Sequence, residues 1–239
     1  MPQILIKSRN YEIKRKYDIE LFVANYRSQH RSTNLNDSEI LSKIYEITNI
    51  LENFKLEYWV TNGTLLGLTR DGMLIPWDDD FDIDLNSKVL KDNVARLASI
   101  FINMGLPVKI KLNGPFMGMN IFYKNLKFSL GGQIYFFNYM YDYNNKYPRN
   151  LIYPIKTSKY LGINLKLPFN PENLCGYIYK DWRVEIKSMY ESDYIRKEIR
   201  NNFLVKYGIR LLILIMHFFT LWQIHRIKLK IFTFLDHEI

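Results

Sequence analysis

Apolar residues recur with the spacing of an α-helix in two stretches of the chain, one on each side of an acidic segment. The first stretch follows Asp37 and Ser38, a suitable N-cap, and the second follows Ser87, which we expect to cap it similarly. The apolar positions are Ile40, Leu41, Ile44, Ile47, Leu51 and Phe54 in the first stretch and Val89, Leu90, Val94, Leu97, Ala98, Phe101 and Ile102 in the second. This spacing predicts two amphipathic helices that each turn one face toward a core.

An alternating pattern, typical of a strand, lies between the two predicted helices. Asp80, Asp82 and Asp84 alternate with apolar residues, so an extended strand places the carboxylates on one face and the apolar side chains on the other. Three further strands are predicted from apolar segments between glycine and asparagine turns, at residues 108–112, 117–123 and 134–141. We therefore expect an α+β fold in which helices flank a mixed sheet.

The acidic segment is a candidate metal site. Five carboxylates fall within residues 78–84, and carboxylates two apart on a strand lie about 7 Å apart at their Cα atoms, so a cation or protons must relieve their repulsion. Oxygen ligands of this kind suit Mg²⁺ or Mn²⁺. A solvated acidic surface explains the pattern poorly, because apolar residues interleave with the acids. An EF-hand is excluded, because Ile83 and Val89 stand where that loop requires glycine and glutamate.

A candidate phosphate site precedes the acids. Gly63 and Thr64 follow a short apolar run at residues 58–60 and lead into a predicted helix, so backbone N–H groups and a hydroxyl face one turn. Arg70 lies nearby and either complements a phosphate or pairs with Asp71. A phosphate-binding turn beside an acidic strand indicates phosphoryl or nucleotidyl transfer, which depends mainly on positioning and charge neutralisation.

The segment GTLLGLTRDGMLIPWDDDFDIDL, residues 63–85, closely resembles the signature of the LicD family. That family includes bacterial phosphocholine transferases and, more distantly, fukutin and fukutin-related protein, and it resembles a branch of the nucleotidyltransferase superfamily. The resemblance implies a nucleotidyltransferase-like mixed sheet, with Gly63 and Thr64 as the substrate-binding turn. It makes Asp80 and Asp82 the catalytic, metal-binding pair and Asp78 a further metal ligand.

A second block, residues 159–184, resembles the closing segment of the same family. It ends at Lys180, Asp181 and Trp182, and the resemblance implies substrate binding by Lys180 and Asp181. The alternative for these two residues is a solvated helix end. In one respect the chain departs from the superfamily: Gln133 stands where members usually carry a third carboxylate, and Asp142 is a possible substitute.

Composition limits the class of protein. With 239 residues, 48% of them hydrophobic, the chain can bury a core and is not a disordered protein. A single cysteine, Cys175, excludes an intramolecular disulfide framework and fits a reducing compartment, and we expect it to be a buried helix residue.

The amino terminus lacks the apolar core of a secretory signal, so we expect a cytoplasmic protein. The four histidines are scattered outside the acidic block and do not indicate a histidine metal site.

The carboxyl-terminal part differs from the rest. Residues 211–222 read LLILIMHFFTLW, shorter than the roughly 20 residues that a membrane span needs, and basic residues flank them. Such a helix either lies in the surface of an anionic membrane or packs against the domain or a dimer partner. We expect three parts: a basic N-terminal segment at residues 1–35, a LicD-like catalytic domain at 36–190, and an amphipathic helical tail at 191–239.

The expected activity combines these parts. The resemblance implies transfer of phosphocholine or a polyol phosphate from a CDP-activated donor, such as CDP-choline or CDP-ribitol, to a sugar hydroxyl of a cell-surface glycan or its lipid-linked precursor. The alternatives are a nucleotidyltransferase that leaves NMP on its acceptor and a non-catalytic module that binds metal and nucleotide. The net charge of +9 favours anionic partners. Because the cations concentrate at the chain ends beside apolar segments, we expect the inner face of a bacterial membrane rather than nucleic acid.

Overall fold

The acidic segment forms an inner strand of a mixed sheet. The computed structural model describes residues 4–8, 19–23, 38–113, 115–124, 126–142, 145–160, 162–187, 195, 207, 211, 215 and 217–236. The strands are β1 Ile4–Ser8, β2 Ile19–Val23, β3 Tyr58–Val60, β4 Asp80–Asn86, β5 Val108–Asn113, β6 Phe116–Tyr123, β7 Leu126–Phe136, β8 Tyr139–Tyr141, β9 Lys146–Pro148, β10 Lys156–Tyr160 and β11 Ile163–Leu167. The helices are α1 Ser38–Asn53, α2 Asn62–Asp71, α3 Ser87–Asn103, α4 Arg149–Ile152, α5 Pro171–Ile178 and α6 His217–Asp236. The expected α+β class is confirmed.

The main sheet has the strand order β1-β2-β5-β6-β7-β4-β3, and within the described residues it continues through β8 and β9, which extend from the far end of β7. Strands β4 and β7 are parallel, and the other neighbouring strands of this sheet are antiparallel in the described part of the chain. The parallel pair requires a crossover, and α3 forms part of it while packing against β4, β6 and β7. Strands β10 and β11 form a separate antiparallel pair.

Local sequence signals located most of these elements. The two predicted amphipathic helices are α1 and α3, and their predicted apolar faces supply buried core residues. The cap of α3 is Asn86 rather than Ser87, because the Asn86 side chain accepts hydrogen bonds from the backbone N–H groups of Lys88 and Val89 at 2.9 and 3.2 Å. Ser87 instead donates to the carbonyl oxygen of Pro115 at 2.7 Å and so ties α3 to the start of β6.

The strand predicted at residues 134–141 is in fact two. Ile134 to Phe136 complete β7, the chain reverses at Phe137 and Asn138, and β8 returns alongside β7. Sequence analysis did not recognise this turn, because its left-handed residue is Phe137, with φ 51°, instead of a glycine. Strand β7 also begins earlier than predicted, at Leu126.

Helix α6 packs against α3, and Ile227 and Ile231 are buried at that contact. The predicted amphipathic tail therefore has an apolar face on the domain, while Trp222, Arg226 and Leu229 face outward. Among the described residues, no helix combines the length and apolar character that crossing a bilayer requires.

Alanine substitutions at two glycines of the main sheet test how tightly the sheet is packed. A Cβ atom at Gly132 would lie 2.5 Å from the carbonyl oxygen of Met117 and 2.9 Å from the Cα atom of Ser87, whereas one at Gly118 would meet nothing closer than 3.6 Å. We expect Gly132→Ala to lower the free energy of unfolding by about 1–3 kcal/mol, because backbone atoms must move. The matched control Gly118→Ala should change it by less than about 0.5 kcal/mol. Urea unfolding measures both, and equal stability of the two variants would contradict the packing described.

Candidate active site

Strand β4 presents its carboxylates on one face, as predicted. Phe81, Ile83 and Leu85 are fully buried in the core, while Asp80 and Asp82 on the opposite face are only partly buried. The apolar side chains anchor the strand, so the carboxylates cannot separate by moving the backbone. Burial of three large apolar side chains stabilises this arrangement by several kcal/mol, at about 1.5–3 kcal/mol each.

The first turn of α2 holds β4 in place. The Thr64 hydroxyl accepts a hydrogen bond from the backbone N–H of Asp82 at 2.8 Å, and the Thr61 N–H donates to the carbonyl oxygen of Asp82 at 3.1 Å. Gly63 lies so close to Asp78 that a Cβ atom there would overlap the carboxylate. The two residues predicted as a phosphate-binding turn therefore also position the acids. Gly63 lines the cleft described below, whereas Thr64 is buried beneath it.

Three carboxylates converge at the start of β4. One oxygen from each of Asp78, Asp79 and Asp80 lies within 4.8 Å of the others. Two oxygens bound to one Mg²⁺ at 2.0–2.1 Å are about 3–4 Å apart, so a small contraction would let this group hold the ion. The sequence predicted Asp78, Asp80 and Asp82 as ligands. In the structure Asp79, which was not predicted as a ligand, belongs to the converging group, and Asp82 lies next to that group.

Burial and crowding perturb the ionisation of Asp78 and Asp82. Burial and the neighbouring Asp80 raise the pKa of Asp78 to about 7. Burial and the charges of Asp80, Asp78 and Asp84 raise the pKa of Asp82 well above its ordinary value. Protonation and a bound cation are alternative ways to relieve this repulsion, so the donor set fits a hard divalent cation.

Lys127 supplies a positive charge beside the cluster. It stands opposite Asp80 in the parallel register of β4 and β7, and its Nζ atom lies 2.5 Å from an Asp80 oxygen. Burial alone would lower the pKa of Lys127, but the charge of Asp80, its hydrogen bond and the charge of Asp82 together raise it. Sequence analysis missed this residue, because only the strand register shows that it adjoins the acids.

Gln133 lies beside Asp84 and not beside Asp80 or Asp82. Its Nε2 atom donates to Asp84 Oδ2 at 2.9 Å, and in the strand register it stands opposite Asn86. Asp84 is only 7% exposed, and a Cβ atom at Gly131 would overlap its carboxylate. Burial and the charge of Asp142 raise the pKa of Asp84 to about 8, although hydrogen bonds from Gln133 and Thr61 oppose this shift.

Asp142, the possible substitute for a third carboxylate, is close enough to Asp84 to affect its ionisation. It accepts hydrogen bonds from the Asn145 backbone N–H at 2.5 Å, the Asn145 side chain at 2.8 Å and the Tyr147 hydroxyl at 3.1 Å. Asn145 and Tyr147 line the cleft, so Asp142 reaches the site through them. Its role as a substitute stays a prediction.

A cleft of about 580 Å³ opens over the acidic cluster. The lining includes the acids together with Gly63 and Arg70. A second part of the lining, here called the apolar wall, is apolar and aromatic and consists of Trp77, Ile178, Tyr179, Trp182, Val184, Ile186 and Ile195. A lining that combines acids with apolar side chains suits a ligand that has a charged group and a less polar remainder.

The remaining predicted site residues have different surroundings. Arg70 lines the cleft, but it also pairs with Asp71 through two guanidinium nitrogens, at 2.9 and 2.6 Å, so both alternatives considered for it remain compatible with the structure. Asp181 lines the cleft, whereas Lys180 is exposed outside the lining.

Trp77, expected only to fix the loop before β4, is partly exposed in the cleft with Lys187 Nζ 4.2 Å from its ring centre. Cys175 is buried on α5, as expected.

Comparisons with known proteins show what the chain is similar to. Residues 55–170 match the family described as LicD/FKTN/FKRP, nucleotidyltransferase domain. Over 142 residues the chain is 27% identical to an uncharacterized protein of Rickettsia typhi, covering 56% of this chain and 43% of the relative, so the chain spans less than half the length of that relative. A solved structure, the lincomycin-bound lincosamide antibiotic adenylyltransferase LnuA, aligns with a TM-score of 0.41 and 12% identity over 59% of this chain and 90% of that one. A similarity at that level carries no argument about function.

Metal binding tests the cluster. Asp80→Asn should weaken Mn²⁺ binding at least about tenfold in calorimetric titration, because a charged oxygen ligand is lost. Affinity of the wild type should rise between pH 6 and pH 8, since protons compete for Asp78, whose pKa is raised to about 7. The control is Asp92→Asn, on the exposed side of α3 in an ion pair with Lys88 at 3.1 Å. An Asp80→Asn protein that binds Mn²⁺ as tightly as the control would contradict the assignment.

The buried Asp84 gives a second prediction, for stability. Because its pKa is raised from 3.8 to about 8 on folding, the folded protein retains a proton that the unfolded chain releases. The stability from this group is thus fully present below about pH 4 and is lost as the pH rises toward 8. In the presence of chelator, Asp84→Asn should become more stable relative to the wild type between pH 5 and pH 8, by a few kcal/mol at most, roughly 1.4 per pKa unit. A pH-independent difference in urea unfolding would contradict the burial of a titrating carboxyl.

Proposed function

We propose that this protein is a metal-dependent phosphotransferase, because residues 55–170 match the family described as LicD/FKTN/FKRP, nucleotidyltransferase domain. It transfers a phospho-alcohol, phosphocholine or a polyol phosphate, from a CDP-activated donor to a sugar hydroxyl of a cell-surface glycan. The observation that carries the proposal is the convergence of Asp78, Asp79 and Asp80 at the cleft, next to the first turn of α2. Mg²⁺ or Mn²⁺ bound there, with Asp82 alongside, would neutralise charge on the donor diphosphate.

The side chains of the cleft have distinct roles in this reaction. Arg70 and the backbone N–H groups at the start of α2 face the donor phosphates. Lys127 holds Asp80 in place through their ion pair. The apolar wall from Tyr179 to Ile195 excludes water, which would otherwise compete with the acceptor hydroxyl. Asp181 lines the cleft and contacts the acceptor. Lys180, next to it and outside the lining, also binds substrate.

The bond changes are those of an in-line displacement. The acceptor hydroxyl oxygen forms a bond to the phosphorus that carries the alcohol, and the bond from that phosphorus to the bridging oxygen breaks, so that CMP leaves. The hydroxyl proton passes to a carboxylate of the cluster.

The description of the matched family supports a second candidate. A nucleotidyltransferase would use the same acids but leave the NMP moiety on the acceptor. The mass of the product separates the two reactions, because the acceptor gains either the phospho-alcohol or the nucleotide. A third candidate, a binding module without turnover, follows from Gln133, the amide in place of a third carboxylate.

The acceptor is a surface glycan or its lipid-linked precursor in this proposal. A lipid-linked acceptor would bring the protein to the inner face of a bacterial membrane as a peripheral protein. The outward side of α6 carries Trp222 and Leu229 together with Arg226, which lies 4.7 Å from the Trp222 ring centre, so it is one candidate for the contact.

Donor consumption tests the activity. Purified protein is incubated with CDP-choline, CDP-ribitol or CDP-glycerol and Mg²⁺ or Mn²⁺, and release of CMP is measured. Asp82→Asn should lower the rate on the order of 100-fold or more, since it removes charge that acts on the reacting groups. Asp92→Asn should leave the rate unchanged. If the wild type consumes no donor under any pairing, the binding module is favoured and the phosphotransferase is excluded for these donors.

A further inference from the structure

Two phenylalanines project from the turn between β7 and β8. Phe136 is 61% exposed and Phe137 is 82% exposed, and their ring centres lie 4.6 Å apart in an edge-to-face arrangement. Phe137 adopts φ 51°, a left-handed conformation that is unfavourable for a bulky side chain. Exposed apolar surface and local backbone strain thus coincide in one turn, and this combination points to a contact with a partner.

Cationic side chains lie next to the aromatic residues of this region. Arg149, the first residue of α4, donates its backbone N–H to the carbonyl oxygen of Asn138 in the turn at 2.9 Å. Its guanidinium carbon lies 5.4 and 5.3 Å from the ring centres of Tyr135 and Tyr153. On β9, Lys146 Nζ lies 4.0 Å from the ring centre of Tyr139.

The same surface continues past α4. The Phe169 N–H donates to the carbonyl oxygen of Ile152, the last residue of α4, at 2.8 Å. Phe169 is partly exposed, and Lys156 Nζ lies 4.2 Å from its ring centre. We name this surface the aromatic ridge, and its members are Phe136, Phe137, Tyr139, Lys146, Arg149, Lys156 and Phe169. Glu57 is an acidic residue close enough to affect nearby tyrosines, so the three cations leave the ridge with a positive balance.

The aromatic ridge and the cleft share the hairpin of β8 and β9. Tyr147 and Asn145 line the cleft, while the neighbouring residue Lys146 belongs to the ridge. Among the described residues, none of α3 or α6 lines the cleft. A partner bound at the aromatic ridge therefore contacts a hairpin that also lines the cleft, whereas a partner bound at α6 contacts a helix that does not.

We propose that the aromatic ridge docks the protein on an anionic lipid bilayer, with Phe136 and Phe137 inserted below the headgroups and Lys146, Arg149 and Lys156 among the lipid phosphates. Phenylalanine rings at the tip offer no hydrogen-bonding group to a polar polymer, whereas they gain from burial among acyl chains. Cations stacked on aromatic rings sit at headgroup depth, and each adds attraction to an anionic surface. This inference rests on the peripheral membrane association proposed above and replaces α6 with the ridge as the contact.

Labelling distinguishes the two surfaces. Two variants, Asn138→Cys in the ridge and Leu229→Cys on α6, are each labelled with an NBD dye at the new cysteine. The native Cys175 should not react, because it is buried and burial raises its pKa to about 12. We expect NBD emission from position 138 to shift to the blue with phosphatidylglycerol vesicles but not with phosphatidylcholine vesicles. Emission from position 229 should not change. A response at position 229 without one at 138 would overturn the proposal in favour of α6.

Sedimentation with vesicles measures the energetics. Phe136→Ser with Phe137→Gly should lower the partition coefficient onto phosphatidylglycerol vesicles at least about tenfold. Phe137→Gly also removes the strained conformation, so folding should not suffer. The control is Tyr45→Ser, which removes an exposed aromatic residue from α1 and should not change partitioning.

The outcomes separate this proposal from the enzymatic one. Release of CMP from a soluble donor by the double variant should equal that of the wild type, because neither phenylalanine lines the cleft. Partitioning of the double variant that equals the wild type, or binding of a short RNA that depends on the same phenylalanines, would refute the bilayer contact. An inactive wild type that still partitions through the ridge would instead refute the phosphotransferase alone.

Discussion

Repulsion among carboxylates fixed on one short strand is the constraint to which the surrounding structure responds. Asp80, Asp82 and Asp84 cannot move apart, because the alternate residues of β4 are buried in the core. The structure relieves the repulsion locally: Lys127 pairs with Asp80, and Gln133 donates to Asp84. Burial and the remaining repulsion together raise the pKa values of Asp78, Asp82 and Asp84.

This crowding illustrates how a binding site costs stability before its ligand arrives. Glycine at positions 63 and 131 leaves room for the carboxylates of Asp78 and Asp84, where any larger residue would collide with them. The protein therefore accepts unfavourable charge density and gives up side-chain packing to hold the oxygens close together. In our proposal a divalent cation would recover part of that cost, since only the deprotonated carboxylates bind it. Folding, ionisation and metal binding would then be linked at this site.

The cleft extends beyond the part of the chain that matches the family. The matched residues, 55–170, supply the acids and the first turn of α2, but most of the apolar wall comes from residues 178–195. In our proposal the chemistry and the fit to substrate are therefore encoded in different segments. In our proposal the hairpin of β8 and β9 connects the cleft to the membrane contact. One side of the hairpin lines the cleft, and the other side carries part of the aromatic ridge.

The sequence alone determined the features that depend on local periodicity. The spacing of Ile40, Ile44 and Ile47 predicted α1, and the alternation from Asp80 to Leu85 predicted β4 with its acidic and apolar faces. The resemblance to the LicD family then supplied the nucleotidyltransferase assignment. These signals are readable because each residue's position in a helix or strand fixes the face on which it lies.

Tertiary structure decided everything that depends on register between distant segments. Nothing in the sequence shows that Lys127 adjoins Asp80 or that Gln133 adjoins Asp84, because both contacts follow from the alignment of β7 with β4. The turn at Phe137 likewise lacks the glycine by which such turns are recognised. Side-chain periodicity specifies a face but not a neighbour, and the pairing of strands that are far apart in the chain is settled only when the whole core packs.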